Sequence, residues 1–336
     1  MMQENSKTVA CWLLLCCACI FTIIVVGAVT RLTESGLSMV EWRVAMDMLP
    51  PLTDAAWQSE FDLYKASPEY QKVNAGMDLA AFKNIYFWEW LHRLLGRVVG
   101  LIYALPLFYF WATKKIPQGL KPRLLFFLFL GGLQGFFGWF MVKSGLVNEP
   151  RVSHFRLALH LGTALLLLCL LWGAALHLLY PEMKKALPFR KHAMLALVTV
   201  SFTVLYGAFV AGLDAGLIYN TFPLMGGRWV PSEFWHEVPA WRNFLYNHAT
   251  VQWLHRVLGV LSFVAVFALG LRAYWTRAVL AKKIGITLCG LIFIQLVLGI
   301  ATLLSVVALP LAAAHQAFAV LTLLALVTYS FVLAKA

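Results

Sequence analysis

Apolar residues in this chain neither alternate nor form a stripe at helical spacing; they run together. Val9–Val29 has Thr22 as its only clearly polar member, and Leu124–Val142, Leu157–Tyr180 and Pro310–Ala334 are similarly apolar. Four more stretches, Ile85–Ala112, His192–Leu213, Val251–Trp275 and Ile284–Leu309, have the length but carry isolated polar residues. About 20 apolar residues in helical form cross a hydrocarbon core, so the pattern predicts eight transmembrane helices. A barrel is excluded: the segments are long and unalternating, and inside lipid every backbone group must be satisfied internally.

The polar positions set the orientation. The loops between spans 2–3, 4–5 and 6–7 carry Lys114, Lys115, Lys121 and Arg123, then Lys184, Lys185, Arg190 and Lys191, then Arg277, Lys282 and Lys283, opposed only by Glu182. The long loop 31–83 after span 1 has eight acids against five bases. The positive-inside rule therefore places the three basic loops and both termini on the cytoplasmic side. Composition agrees with the class, since only 12% of residues are charged and 61% are hydrophobic, roughly half the charged share of a soluble domain. The net charge of +12 is then a matter of topology and of membrane lipid headgroups as partners, and nucleic acid is excluded as its meaning. Span 1 follows a weakly charged MMQENSK and is longer than the core of a signal peptide, so it reads as a retained span. Without an Arg-rich, acid-free leader, the expected location is a bacterial inner membrane. All six cysteines (Cys11, Cys16, Cys17, Cys19, Cys169 and Cys289) fall inside spans. No structural disulfide is expected in an outer loop, and the four in span 1 read as small packing residues.

Internal repetition organises the spans. Trp88-Glu-Trp-Leu-His-Arg-Leu-Leu-Gly96 in span 2 matches Val251-Gln-Trp-Leu-His-Arg-Val-Leu-Gly259 in span 6. Gln134 and Phe137-Gly138 in span 3 parallel Gln295 and Leu298-Gly299 in span 7, and Val26-Gly-Ala-Val29 echoes Tyr206-Gly-Ala-Phe209. The predicted fold is thus an all-α integral membrane protein of two tandem four-helix bundles, residues 1–183 and 184–336. An even number of spans per copy gives both the same orientation, with a pseudo-twofold axis along the membrane normal. The copies differ outside the membrane: 65 positions separate Gly27 from His92, but only 48 separate Gly207 from His255. Trp57, Phe61 and Tyr64, at near-helical spacing in the extra segment, could form a helix lying on the membrane surface.

Four histidines carry the candidate chemistry: His92, His160, His255 and His315, one in each even-numbered span. They lie roughly 5 to 9 residues past the outer ends of the predicted helices, in one layer about 8–14 Å below the outer surface. A single intramembrane histidine is commonly a polar residue bonded between helices. A duplicated pair on helices 2 and 4 of each copy points instead to imidazoles gripping heme iron between facing helices. His154, His177, His192, His236 and His248 read as surface residues. Arg93 and Arg256 follow their histidines directly and need anionic partners at membrane depth, which heme propionates or a structural ion pair would supply. Gly96 and Gly100 mark a candidate close helix crossing. Glu89 stands three residues before His92, on the same helical face, where the second copy has Gln252. That contrast suggests a reactive first site and an electron-transfer second site, although a Glu89 bonded structurally to Arg93 or Arg97 fits the spacing equally well.

These residues closely resemble the heme A synthase family over nearly the whole chain. The likeness rests on Gly27-Ala-Val-Thr-Arg-Leu-Thr-Glu-Ser-Gly-Leu-Ser38 with Glu41-Trp42 and Pro50-Pro51, Trp88-Glu-x-x-His-Arg-x-x-Gly-Arg97, Phe155-Arg-Leu-Ala-Leu-His160, Asn220-Thr-Phe-Pro-Leu-Met-Gly226 and Val251-Gln-x-x-His-Arg256. Without an outer-loop cysteine pair, it is similar to the form shared by proteobacteria and mitochondria. The resemblance implies an oxidoreductase that converts heme O to heme A by oxidising the ring D methyl group to a formyl group, through two hydroxylations and loss of water. It also implies heme b on His255 and His315, substrate heme O near His92 and His160, and an essential Glu89. Heme O synthase and cytochrome oxidase assembly factors become candidate partners, with an unidentified electron donor and a homo-oligomer left open. The rival reading is a diheme electron-transfer protein of cytochrome b561 type, which needs hemes near both membrane faces; here all four histidines share one.

Overall fold

The computed structural model describes residues 2–41, 48–145, 151–181 and 189–334. Trp42, the loop charges Glu182, Lys184 and Lys185, and the expected division at 183/184 lie outside them. The described residues form helices joined by turns, with no strand. Eight of the helices are long and apolar enough to cross a membrane, so the chain is a multi-pass membrane protein. They are α1 (Met2–Leu32), α4 (Leu79–Ala112), α5 (Lys121–Gly145), α6 (His154–Leu179), α7 (Arg190–Gly212), α9 (His248–Tyr274), α10 (Val279–Leu304) and α11 (Leu309–Ala334). The short helices α2 (Asp54–Lys65), α3 (Pro68–Lys72) and α8 (Asn243–Tyr246) belong to the loops. Polar residues cap several starts: Thr53 accepts from the Ala56 N–H, Ser67 from Tyr70, Asp78 from Ala81, and Asn247 from Ala249 and Thr250. Each supplies an acceptor to donors that the first helical turn leaves free.

All eight predicted spans are helices, with boundaries that shift for physical reasons. α4 begins at Leu79, not near Ile85, because Asp78 caps it and its first turns carry Phe82 and Tyr86 onto α2. The aromatic face of α2 is consequently spent on protein: Phe61 and Tyr64 are buried against Met39, Phe82 and Tyr86, with Trp57 packed alongside. α10 stops at Leu304, short of the expected Leu309. Val306 and Val307 turn the chain with φ of 56° and 60°, a left-handed conformation that branched side chains rarely adopt.

The chain divides into two compact units, Met1–Leu168 and Cys169–Ala336. In the first, hydrogen bonds link neighbouring helices in a ring. Trp12 Nε1 donates to the Ile102 carbonyl (α1–α4), the Tyr103 hydroxyl to the Leu124 carbonyl (α4–α5), and Gln134 meets Thr163 (α5–α6). Cys17 Sγ reaches the Leu168 carbonyl and closes α6 on α1. In the second unit, α7 packs on α9, α9 on α10, α10 on α11 and α11 on α7. The tightest crossing there is between Gly270 and Gly285, where a Cβ on either would stand 2.8 Å or less from the other's carbonyl oxygen. The expected crossing at Gly96 and Gly100 is looser: a Cβ on Gly96 would meet only Ile23 Cδ1 at 3.6 Å, and one on Gly100 nothing within 4 Å. Small residues permit a close approach; which ones use it depends on helix rotation. None of the six cysteines is in a disulfide.

Candidate functional site

His160, His255 and His315 lie 6, 7 and 6 residues beyond His154, His248 and Leu309, the first residues of their helices. His92 is 13 residues beyond Leu79 because α4 starts early. Helix crossings put a glycine against three of the four rings. A Cβ on Gly27 of α1 would stand 2.9 Å from His92 Cε1, one on Gly207 of α7 3.1 Å from His255 Cε1, and one on Gly299 of α10 2.8 Å from His315 Cε1. Only hydrogen at those positions lets the imidazole edge reach the neighbouring backbone.

One turn before Gly207, the Thr203 carbonyl lies 3.0 Å from His255 Nδ1. A carbonyl that takes the Nδ1 proton leaves the Nε2 lone pair available as a ligand. The Ile23 and Gln295 carbonyls, also one turn before their glycines, face His92 and His315 without completing a hydrogen bond. His160 has different company. With its amide oriented to satisfy both ends, Gln134 accepts from Thr163 Oγ1 and the Ala164 N–H and brings its nitrogen 3.1 Å from His160 Nδ1. His160 lies within electrostatic reach of His92. All four histidines are half-buried.

The His255 and His315 ring centres are 6.4 Å apart, with planes at 88°. Metal–imidazole bonds of about 2.0–2.1 Å, with each nitrogen about 1.1 Å from its ring centre, require centres roughly 6.3 Å apart. The pair is therefore spaced for one metal ion between two imidazoles. Among the described residues no group of three or more His, Cys, Asp or Glu could hold a metal ion. Two facing imidazoles suit iron whose other positions a macrocycle fills.

Glu89 and Arg93 form a buried ion pair on α4, 2% and 9% exposed respectively. Arg93 Nη2 donates to Glu89 Oε1, while the Ser38 hydroxyl and the Met39 N–H each donate to Oε2 at 2.7 Å. Arg93 also donates to the Met39 and Glu41 carbonyls at 2.9 Å. The second unit repeats the scaffold with the polarity reversed. Gln252 Nε2 donates to the Tyr219 carbonyl at 3.0 Å, and Arg256 donates to the Tyr219 and Thr221 carbonyls at 2.8 Å. The carboxylate is thus matched by two loop donors and the amide by a loop acceptor. Ile218, at the position corresponding to Ser38, has no hydroxyl to offer a carboxylate. Both arginines clamp the loop that precedes their helix through two carbonyls two residues apart, a role their spacing alone does not reveal. The Arg256 Nε remains buried with no hydrogen-bond partner, as does Gln252 Oε1.

Sequence reasoning misplaced one histidine and passed over several residues. His154, expected at the surface, is buried against Phe155 with ring centres 4.1 Å apart, since α6 starts at it and turns it inward. Ser38 was visible only as the end of a motif, and Met39 was not singled out at all. Gly27, Gly207 and Gly299 stood in the repeats, yet the reason for glycine there is a ring on another helix. Glu69 is buried on α3, and nothing in the sequence sets it apart from the other seven acids of the long loop.

The family model described as cytochrome oxidase assembly protein matches residues 10–327. A heme A synthase of Rhodospirillum centenum is 48% identical over 314 residues, covering 92% of this chain and 84% of that protein. One from Parvibaculum lavamentivorans is 44% identical over 317 residues, with 94% and 91% covered. A heme A synthase–mitochondrial ferredoxin fusion protein of Schizosaccharomyces pombe is 44% identical over 362 residues, covering 95% of this chain and 59% of the fusion.

Proposed function

The chain belongs to the cytochrome oxidase assembly protein family, and from that premise we propose that it is a heme A synthase, oxidising the ring D methyl of heme O to a formyl group. The observation that carries the reading is a contrast on one scaffold: both units place histidines beside an arginine clamp, and only the first keeps a carboxylate, Glu89, one turn from its histidine. In this reading His92 and His160 receive heme O, and His255 and His315 hold a resident heme b. Support for the second assignment comes from the 6.4 Å ring spacing, the glycine cradles behind both rings and the unpartnered Arg256 Nε, which suits a propionate. Bound there, heme b supplies one-electron transfer. Arg256 fixes the outer loop over that pair; Arg93 holds Glu89 in place. Glu89 is the group that takes or gives protons as the methyl carbon is oxidised. Arg93, the Ser38 hydroxyl and the Met39 N–H all donate to it and fix its position. A relative fused to a mitochondrial ferredoxin supports an iron–sulfur electron carrier as the partner. The charge bias of the loops supports cytoplasmic termini in a bacterial inner membrane, with both hemes in the outer leaflet.

The test is expression in a strain lacking its own heme A-forming enzyme, followed by pigment extraction and mass analysis. Wild type should yield heme A, and Glu89→Gln should yield none while keeping a normal heme b spectrum. Heme b alone from wild type, or normal heme A from Glu89→Gln, would refute the reading.

A further inference from the structure

The loop segment that only the first unit carries encloses an acid. Glu69 of α3 is 5% exposed and Tyr64 of α2 is wholly buried. The Tyr64 hydroxyl donates to Glu69 Oε2 at 3.1 Å, and Asn74 Nδ2 donates to the Tyr64 oxygen at 2.8 Å. Tyr64 packs in the same cluster as Met39, whose N–H is bonded to Glu89. Glu69 and Tyr64 both lie within electrostatic reach of Glu89. On the far side, Lys72 and Val73 are exposed, so Glu69 is one turn from water. A buried carboxylate costs free energy unless it is paired with a cation, yet among the described residues the groups that act on Glu69 are Tyr64 from α2, Glu89 from α4 and Glu34 just past α1, none of them cationic. A loop anchor alone does not call for an acid there, since an amide would accept the same Tyr64 bond.

We propose that Glu69 and Tyr64 form a proton relay joining Glu89 to the water over α3, an inference that rests on the heme A synthase reading. A proton released by Glu89 goes to the Tyr64 oxygen as the Tyr64 hydroxyl gives its own proton to the Glu69 carboxylate, which leaves Glu89 ionised, Tyr64 unchanged and Glu69 neutral. Glu69 then gives the proton to water and returns to carboxylate. The reverse sequence delivers protons, and no electron moves in either direction. Burial, with further repulsion from Glu89 and Glu34, pushes the Glu69 carboxyl up to about 7, where it exchanges protons at neutral pH. The second unit has Gln252 in place of Glu89 and a loop 17 positions shorter between its glycine and histidine; the relay is present where the acid is.

The discriminating variant is Glu69→Gln, which keeps the acceptor for Tyr64 and loses the exchangeable proton. Heme A formation should slow roughly tenfold or more, and the limb of its pH profile near neutrality should disappear. The heme b spectrum should stay as in wild type, thermal stability at neutral pH should not fall below that of wild type, and Glu69→Asp should recover part of the rate. A wild-type rate and pH profile in Glu69→Gln would overturn the relay. So would equal losses of activity in Glu69→Gln and Glu69→Asp accompanied by lost stability, which would mark an anchor. A wild-type protein that makes no heme A would instead sink the function itself.

Discussion

Alanine at Gly299 would put a methyl carbon 2.8 Å from His315 Cε1. Carbon atoms rest at about 3.5–4.0 Å, so the ring must retreat by roughly 0.7–1.2 Å. The His255–His315 spacing of 6.4 Å leaves almost no slack over the roughly 6.3 Å that one metal ion held by both imidazoles would require. Without heme the ring is the free end of a side chain and can swing aside, so the bundle itself should lose little. With heme bound the ring is tethered, and the full overpacking cost of about 1–3 kcal/mol falls on the complex. That corresponds to roughly 5- to 150-fold in affinity. The assay is heme b content of detergent-purified protein, read from its absorption spectrum and from the rate of heme loss to an acceptor such as apomyoglobin. Gly290→Ala, on the same helix but exposed with nothing within 4 Å of the added carbon, should behave as wild type. Undiminished heme in Gly299→Ala would refute the reasoning, and so would equal loss in both variants, which would point to a general effect on α10.

If the proposed orientation holds, with both histidine pairs in the outer leaflet, a membrane-impermeant paramagnetic quencher added from the outer side should relax both heme signals more than one added from inside. Equal effects from the two sides, or one heme answering to each, would favour a carrier that moves electrons across the membrane. A second expectation concerns the loop segment around Glu69. Its carboxyl is raised from 4.5 to about 7, so between those values the folded state binds more protons than the unfolded one and stability falls as pH rises. About 2.5 units at 1.36 kcal/mol each gives roughly 3 kcal/mol lost across that window. Hydrogen exchange in α2 and α3 should accelerate accordingly, and Glu69→Gln should flatten the trend; an unchanged slope in the variant would refute it.

How much of this was legible beforehand follows from the range of the forces involved. Eight helices could be read because crossing lipid is a local demand: each segment must satisfy its own backbone and cover its own length with apolar residues. The four histidines and the Glu89/Gln252 contrast were equally visible, since repetition within one chain compares each position with its twin. Spacing along one helix could bring Glu89 to Arg93, but it could not supply the Ser38 hydroxyl and Met39 N–H that complete the carboxylate's shell, because those come from a loop 50 residues away. Nor could it say that Arg93 and Arg256 would grip loop carbonyls, or that Phe61 and Tyr64 would turn to Phe82 and not to lipid. The glycines make the same point most plainly. Gly96 and Gly270 look alike in sequence, yet only one sits at a tight crossing, and Gly299 matters because a ring on α11 lies against it. Period and composition fix what a helix must do for itself; its rotation about its own axis is set jointly with its neighbours, and that rotation is what decides which side chains meet.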